Sequence, residues 1–97
     1  MKKGKMVKKA HNPWVVGEKY LIRTVTMILT GRLVSFGDQE LVLEDAAWIA
    51  DTGRFMQAVK TGSFSEVEPY GDNPVIVGRG CVVDATIISF DLPDKQK

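Results

Sequence analysis

The residues of this chain best suited to chemistry fall into two groups. Five lysines, Lys2, Lys3, Lys5, Lys8 and Lys9, crowd the first nine residues, and two short polar turns, Gly37-Asp38-Gln39 and Gly78-Arg79-Gly80-Cys81, interrupt apolar stretches. Lysines at such density suit phosphate neutralisation, the main source of affinity in nucleic-acid binding. The plainer reading is a solubilising terminus. Arg79, set beside a tight glycine turn, can stack its guanidinium on a base or reach a phosphate. Its alternative is a surface arginine paired with Asp38 or Glu40 across the subunit. Asp38 and Gln39 can bind, or can simply make the turn.

Catalysis has little to draw on. One histidine, His11, and one cysteine, Cys81, leave no Cys-His or Ser-His-Asp site unless His11 takes part. Glu44 and Asp45 are adjacent on an expected strand, so they point to opposite faces and cannot act as paired carboxylates. Gly78-Arg79-Gly80 lacks the following helix of a phosphate-cradling loop. His11, beside the lysines, is read as solvated. No Cys/His spacing suits zinc, and no cofactor is expected. The expectation is a protein that is not an enzyme.

Composition narrows the partners. The net charge of +1 hides an asymmetry: five of the 13 basic residues lie in the first nine positions, leaving eight against 12 acidic residues. A basic arm on a mildly acidic body fits a tail that seeks nucleic acid, and not a body that grips a duplex over a broad face. A lone cysteine suits a reducing cytoplasm, which is the expected location. No apolar run approaches the roughly 18 residues of a membrane helix, and no apolar stretch of a signal peptide follows Lys9.

These residues must be positioned by strands. Residues 1 to 11 read as a loosely attached arm, residues 12 to 92 as one domain and residues 93 to 97 as a polar, frayed tail. Asn12-Pro13-Trp14 has the form of an N-cap and first helical position. YLIRTVTMILTGRLVSF, from Tyr20, is too long for one strand and too β-branched for a helix. It predicts two strands joined by a tight bend near Thr24 to Thr26, with Gly31 marking a kink in the second. A third strand is expected from Glu40 to about Ile49, although its alternation of Leu41, Leu43 and Asp45 with Val42, Glu44 and Ala46 is imperfect. Phe55, Met56 and Val59 predict a short helix over Arg54 to Lys60, closed by Gly62. Ser63 to Asn73 is expected to be loop, and the block from Val75 to two further strands split at Gly78-Arg79-Gly80. Trp14 and Trp48 are read as buried or interface anchors before stacking platforms.

Two stretches together resemble the Sm/LSm family. GRLVSFGDQELVLEDA, residues 31 to 46, resembles the first Sm motif, with a glycine in a strongly bent second strand. VIVGRGCVVDATI, residues 75 to 87, resembles the second, a strand, an Arg-Gly turn and a final strand. They cover roughly a third of the chain, in the family's order. The general look is closest to Sm-like proteins of bacterial viruses, cyanophage in particular, which would mean host cytoplasm. The resemblance implies a mainly β fold: a five-stranded, strongly bent antiparallel sheet forming a small open barrel, here with a short helix inserted between the third and fourth strands. It also implies a homo-oligomeric ring of about five to seven copies joined by edge-strand pairing, which would cover the apolar strand edges. It implies single-stranded RNA or DNA, RNA before DNA, as ligand and a role in nucleic-acid processing. Asp38, Gln39, Arg79, Gly80 and Cys81 stand at the family's binding loops, with Arg79 expected near the pore and the lysine arm outside it. The match has departures: the first loop is one residue shorter, Glu40 stands where an asparagine holds the base, and Cys81 replaces a small polar residue. Uridine selectivity is therefore not carried over. The rival reading is a structural or protein-interaction module, such as a phage assembly component, motivated by the acidic body and by Phe55 and Met56. A small-molecule sponge has no specific support.

Overall fold

The computed structural model of the chain describes residues 12–97. The long apolar stretch divides where predicted, at a side-chain-braced turn. β1 (Lys19–Thr24) and β2 (Ile28–Phe36) pair antiparallel. The Thr24 hydroxyl accepts from the Met27 N–H at 2.9 Å and donates to the Met27 carbonyl at 3.1 Å, locking the bend. β3 (Glu40–Asp51) follows, then α1 (Phe55–Thr61), β4 (Glu66–Pro69), β5 (Val75–Gly78), a three-residue 3-10 turn (Arg79–Cys81) and β6 (Val82–Ile87). The fold is mainly β: a six-stranded antiparallel sheet with one short helix.

The imperfect alternation of β3 has a physical cause at Asp45. This residue sits at φ 52°, the left-handed region, and forms a bulge: Arg32 faces Glu44 while Thr30 faces Ala47, so Gly31 opposes two residues. The bulge changes which side each residue faces. Leu41 and Leu43 share one core with Ala46, whereas Ala47 and Ile49 join another. Gly31 permits the bend, because a Cβ there would lie 3.0 Å from the Leu43 Cβ and 3.4 Å from the Ala46 Cβ.

β3 is long enough to serve two partners on the side away from β2. Glu40–Leu43 pair with β5, and Ala47–Asp51 with β4. β6 pairs with β1, giving the path β5-β3-β2-β1-β6. The two end strands of that path are joined by only Arg79–Cys81, a link of about 10 Å at full stretch. The sheet must therefore curl back on itself, and no ladder joins β5 to β6 among the described strands. Inside the curl lies a core of Tyr20, Ile22, Leu29, Leu33, Leu41, Leu43, Ala46 and Val77. A second core on the outer face gathers Leu21, Ala47, Ile49, Ala58, Phe64, Val67 and Ile88 beneath α1. With both faces covered, Tyr20-Leu21-Ile22 is buried throughout.

Three expectations need correction. The Ser63–Asn73 loop contains β4, a sixth strand. Only Val67 is buried within it, too brief an alternation to register as a strand, and Pro69 ends it without losing an interior ladder bond. The tail is not frayed: Lys97 and Val67 exchange backbone hydrogen bonds at 2.9 Å, and the Gln96 amide donates to Glu68. These bonds cover the outer edge of β4. Asn12 caps no helix; its side chain accepts from the Trp14 N–H at 3.0 Å in a simple turn. The helix prediction fares better. α1 ends at Gly62, whose φ of 76° and N–H to the Ala58 carbonyl form a left-handed cap.

Candidate functional site

Asp38 and Gln39 are the apex of the β2–β3 hairpin, which the Gly37 N–H closes by donating to the Glu40 carbonyl at 2.9 Å. The three-residue turn between β5 and β6 packs against this apex. Its Arg79 N–H donates to the Gln39 carbonyl at 2.9 Å, and the Arg79 guanidinium donates to the Gly37 carbonyl. One residue thus holds the carbonyls on both sides of Asp38. Both turns are drawn together because β5 pairs with the start of β3, bringing Gly78 opposite Glu40.

Asp38, Gln39, Arg79, Gly80 and Cys81, separated by some forty positions in the chain, therefore form one cluster. Asp38, Gln39 and Gly80 are exposed, and Arg79 and Cys81 are half-buried. Nothing lies within 4 Å of where a Gly80 side chain would begin, so this backbone is open to approach. Cys81 faces inward more than the sequence suggests. Its thiol donates to the Gly78 carbonyl at 3.0 Å, its carbonyl accepts from Val25, and its side chain packs on the inner core. Lys2, Lys3, Lys5, Lys8, Lys9 and His11 lie outside the described residues.

The alternative pairing of Arg79 with Asp38 or Glu40 is not made within the chain. Among the described residues the ion pairs are Arg23–Asp84 and Arg32–Asp45, both elsewhere. Glu40 instead folds its carboxylate over Gly37, where a Cβ would stand 2.6 Å from Oε2. The site thus offers the free part of one guanidinium, the exposed Asp38 carboxylate and the Gln39 amide. That set can hydrogen-bond and stack on a planar polar ligand. Among the described residues no group of three or more His, Cys, Asp or Glu is arranged to hold a metal ion.

Other features were less legible in sequence. Trp14 is half-buried against Tyr20, with ring centroids 5.1 Å apart. Trp48, expected to be buried or at an interface, is 41% exposed and lines a groove of about 410 Å³ with Val25, Thr26, Ile28 and Val83. Its parity follows from the bulge at Asp45, which no local pattern announces. Arg23 lies over the Phe55 ring, 5.4 Å from its centroid, and pairs with Asp84. The hydrogen bonds from Arg23 hold the Asp84 carboxyl below its ordinary range, and the same contact raises the guanidinium. Among the described residues β5 and β6 each have an edge without a partner strand, and exposed apolar residues stand on both: Ile76 on β5, Val83 and Ile87 on β6. A groove of about 620 Å³ runs along β6, walled by Trp14 and Tyr20.

The protein is defined at this level as a small, curled antiparallel β domain with a two-turn polar cluster. No family model, curated protein or solved structure matches it. Among the described residues no helix is long and apolar enough to cross a membrane.

Proposed function

We propose that this chain is an Sm-like protomer that assembles into a homo-oligomeric ring and binds single-stranded nucleic acid, RNA before DNA, without catalysing a reaction. The observation that carries the reading is the convergence of Asp38-Gln39 and Arg79-Gly80 through the hydrogen bonds that Arg79 makes to Gly37 and Gln39. Those are the two segments that the Sm resemblance marks as binding loops. The curl of β5-β3-β2-β1-β6 reads as an open barrel, with α1 and β4 as an insertion between its third strand and β5. The edges of β5 and β6 that have no partner strand among the described residues, with Ile76, Val83 and Ile87 exposed, are suited to pairing head to tail between copies. The lysine arm would add phosphate attraction that a body with an acidic excess lacks.

Fluorescence anisotropy with labelled oligo(U), oligo(A) and single-stranded DNA tests the binding. Saturable binding at low salt that weakens in Arg79→Ala is expected; no binding at low salt overturns it. Sedimentation equilibrium tests the assembly, with about five to seven copies expected and a strict monomer at micromolar concentration overturning the ring.

A second reading is a structural or protein-interaction module, which in a phage would be an assembly component. It is favoured by exposed apolar groups in two grooves that each reach β6: Val25 and Trp48 line one, Phe55 and Met56 the other. Deleting residues 1 to 9 separates the two. If nucleic-acid binding vanishes with the arm alone, the two-turn site is not a reader.

A further inference from the structure

We propose that the two-turn site selects unpaired guanine, with the Asp38 carboxylate accepting from the N1–H and N2–H of its Watson–Crick edge. The inference rests on the nucleic-acid reading above and adds the base that this site prefers.

The argument begins with which acceptors remain free. The carbonyls of Gly37 and Gln39 each already accept a hydrogen bond from Arg79, which leaves them weaker candidates. The Glu40 carboxylate is turned back over Gly37 and is half-buried. Asp38, exposed at the hairpin apex, makes no side-chain hydrogen bond or ion pair among the described residues. Its ionised carboxylate is acceptor-only, with two oxygens side by side, so it is matched by a ligand that presents two adjacent donors.

The four bases answer that demand unequally. Uracil has one N–H flanked by two carbonyl oxygens, so the second carboxylate oxygen would face a repelling acceptor. Adenine and cytosine place a bare ring nitrogen beside the amino group, with the same result. Guanine alone sets N1–H and N2–H next to each other. Arg79 supports this choice, because the guanidinium keeps N–H groups and a planar face beyond the bond to Gly37. A carboxylate at the apex also repels phosphate, which favours entry of the strand base first.

The test uses the full chain and anisotropy at one low salt concentration, with equal-length oligoribonucleotides. These are oligo(U), oligo(A), oligo(C), oligo(U) carrying isolated guanines, and the same strand with inosine replacing guanine. The guanine strand is expected to bind about tenfold more tightly than oligo(U) or more. Inosine, which lacks the N2 amino group, should lose most of that preference. Asp38→Asn, which removes both the paired acceptor and the repulsion of phosphate, should bring the guanine-to-uracil ratio close to one. Equal binding of all strands, or of inosine and guanine, overturns guanine selection and leaves nucleic-acid binding standing. Failure of every strand to bind overturns the nucleic-acid reading itself. The inosine comparison needs no variant, so a misfolded Asp38→Asn protein would not shield the idea.

Discussion

Replacing Gly31 with alanine should destabilise the fold through space alone, because the glycine's φ is not in the left-handed region. The added methyl would stand 3.0 Å from the Leu43 Cβ, 3.1 Å from its Cδ1 and 3.4 Å from the Ala46 Cβ. The nearest of these atoms is rooted on the backbone and cannot rotate away, so β2 and β3 must separate. Overpacking of this kind costs about 1–3 kcal/mol. Two gains oppose it: burial of one carbon, about 0.8 kcal/mol, and the reduced freedom of the unfolded chain, about 0.4–1 kcal/mol. The backbone-rooted contact puts the cost at the upper end, leaving a net loss of roughly 1–2 kcal/mol. With a urea slope of about 1–2 kcal/mol per M, the unfolding midpoint should fall by roughly 1 M. Protein concentration must be held constant, since self-association would add to apparent stability. Gly80→Ala is the matched control, having nothing within 4 Å and no positive φ. A midpoint for Gly31→Ala equal to or above wild type would refute the claim that close approach at Gly31 sets the bend.

Thr30→Val should raise stability by about 1 kcal/mol, because the buried Thr30 hydroxyl has no hydrogen-bond partner; calorimetry should show a Tm several degrees higher, and a lower Tm would point to a bonded hydroxyl. Thr24→Ala removes the three hydrogen bonds of the Thr24 hydroxyl in the β1–β2 turn and should cost about 1 kcal/mol, read by urea unfolding. Asp84 predicts an acid-side dependence. Its carboxyl is depressed in the folded state by the Arg23 hydrogen bonds, so its contribution is complete above the ordinary carboxylate range and is lost as pH falls through the depressed value. Asp84→Asn should flatten that part of the stability–pH curve, and an unchanged curve would remove the pair from the account. If the proposed ring forms, Ile76→Lys and Val83→Lys, each on an edge strand, should dissociate it in sedimentation equilibrium with little loss of monomer fold.

How legible this fold was depends on where its information sits in the chain. The Thr24 turn and the Gly62 cap are encoded within four or five residues, so both are legible in the sequence. Strong β-branched runs gave β1, β2 and β6 for the same reason. β4 was missed because its one buried side chain, Val67, acquires meaning only against β3 and the Lys97 backbone. The bulge was half visible: the alternation of β3 broke near Asp45, yet nothing local said that the break would send Ala46 back to the side of Leu43. That inversion needs Gly31, fourteen positions upstream of Asp45, to yield the space.

The candidate site has the same two-part character. The Sm resemblance marks Asp38 and Arg79 as loop residues, but the role of Arg79 depends on β5 lying against the start of β3. Sequence offered it a base, a phosphate or a carboxylate as partner. The structure gives it the Gly37 and Gln39 carbonyls, so within the chain it acts first as a brace for the apex. That changes how an Arg79→Ala variant is read, because weaker binding could follow from a loosened apex as readily as from a lost cation. Arg79→Lys separates the two: it retains the charge and one point donor but not the planar fork. If Lys restores affinity without base preference, the charge serves binding and the braced geometry serves selection. If Lys restores both, the guanidinium fork is dispensable and the backbone bond from residue 79 to the Gln39 carbonyl suffices to hold the apex.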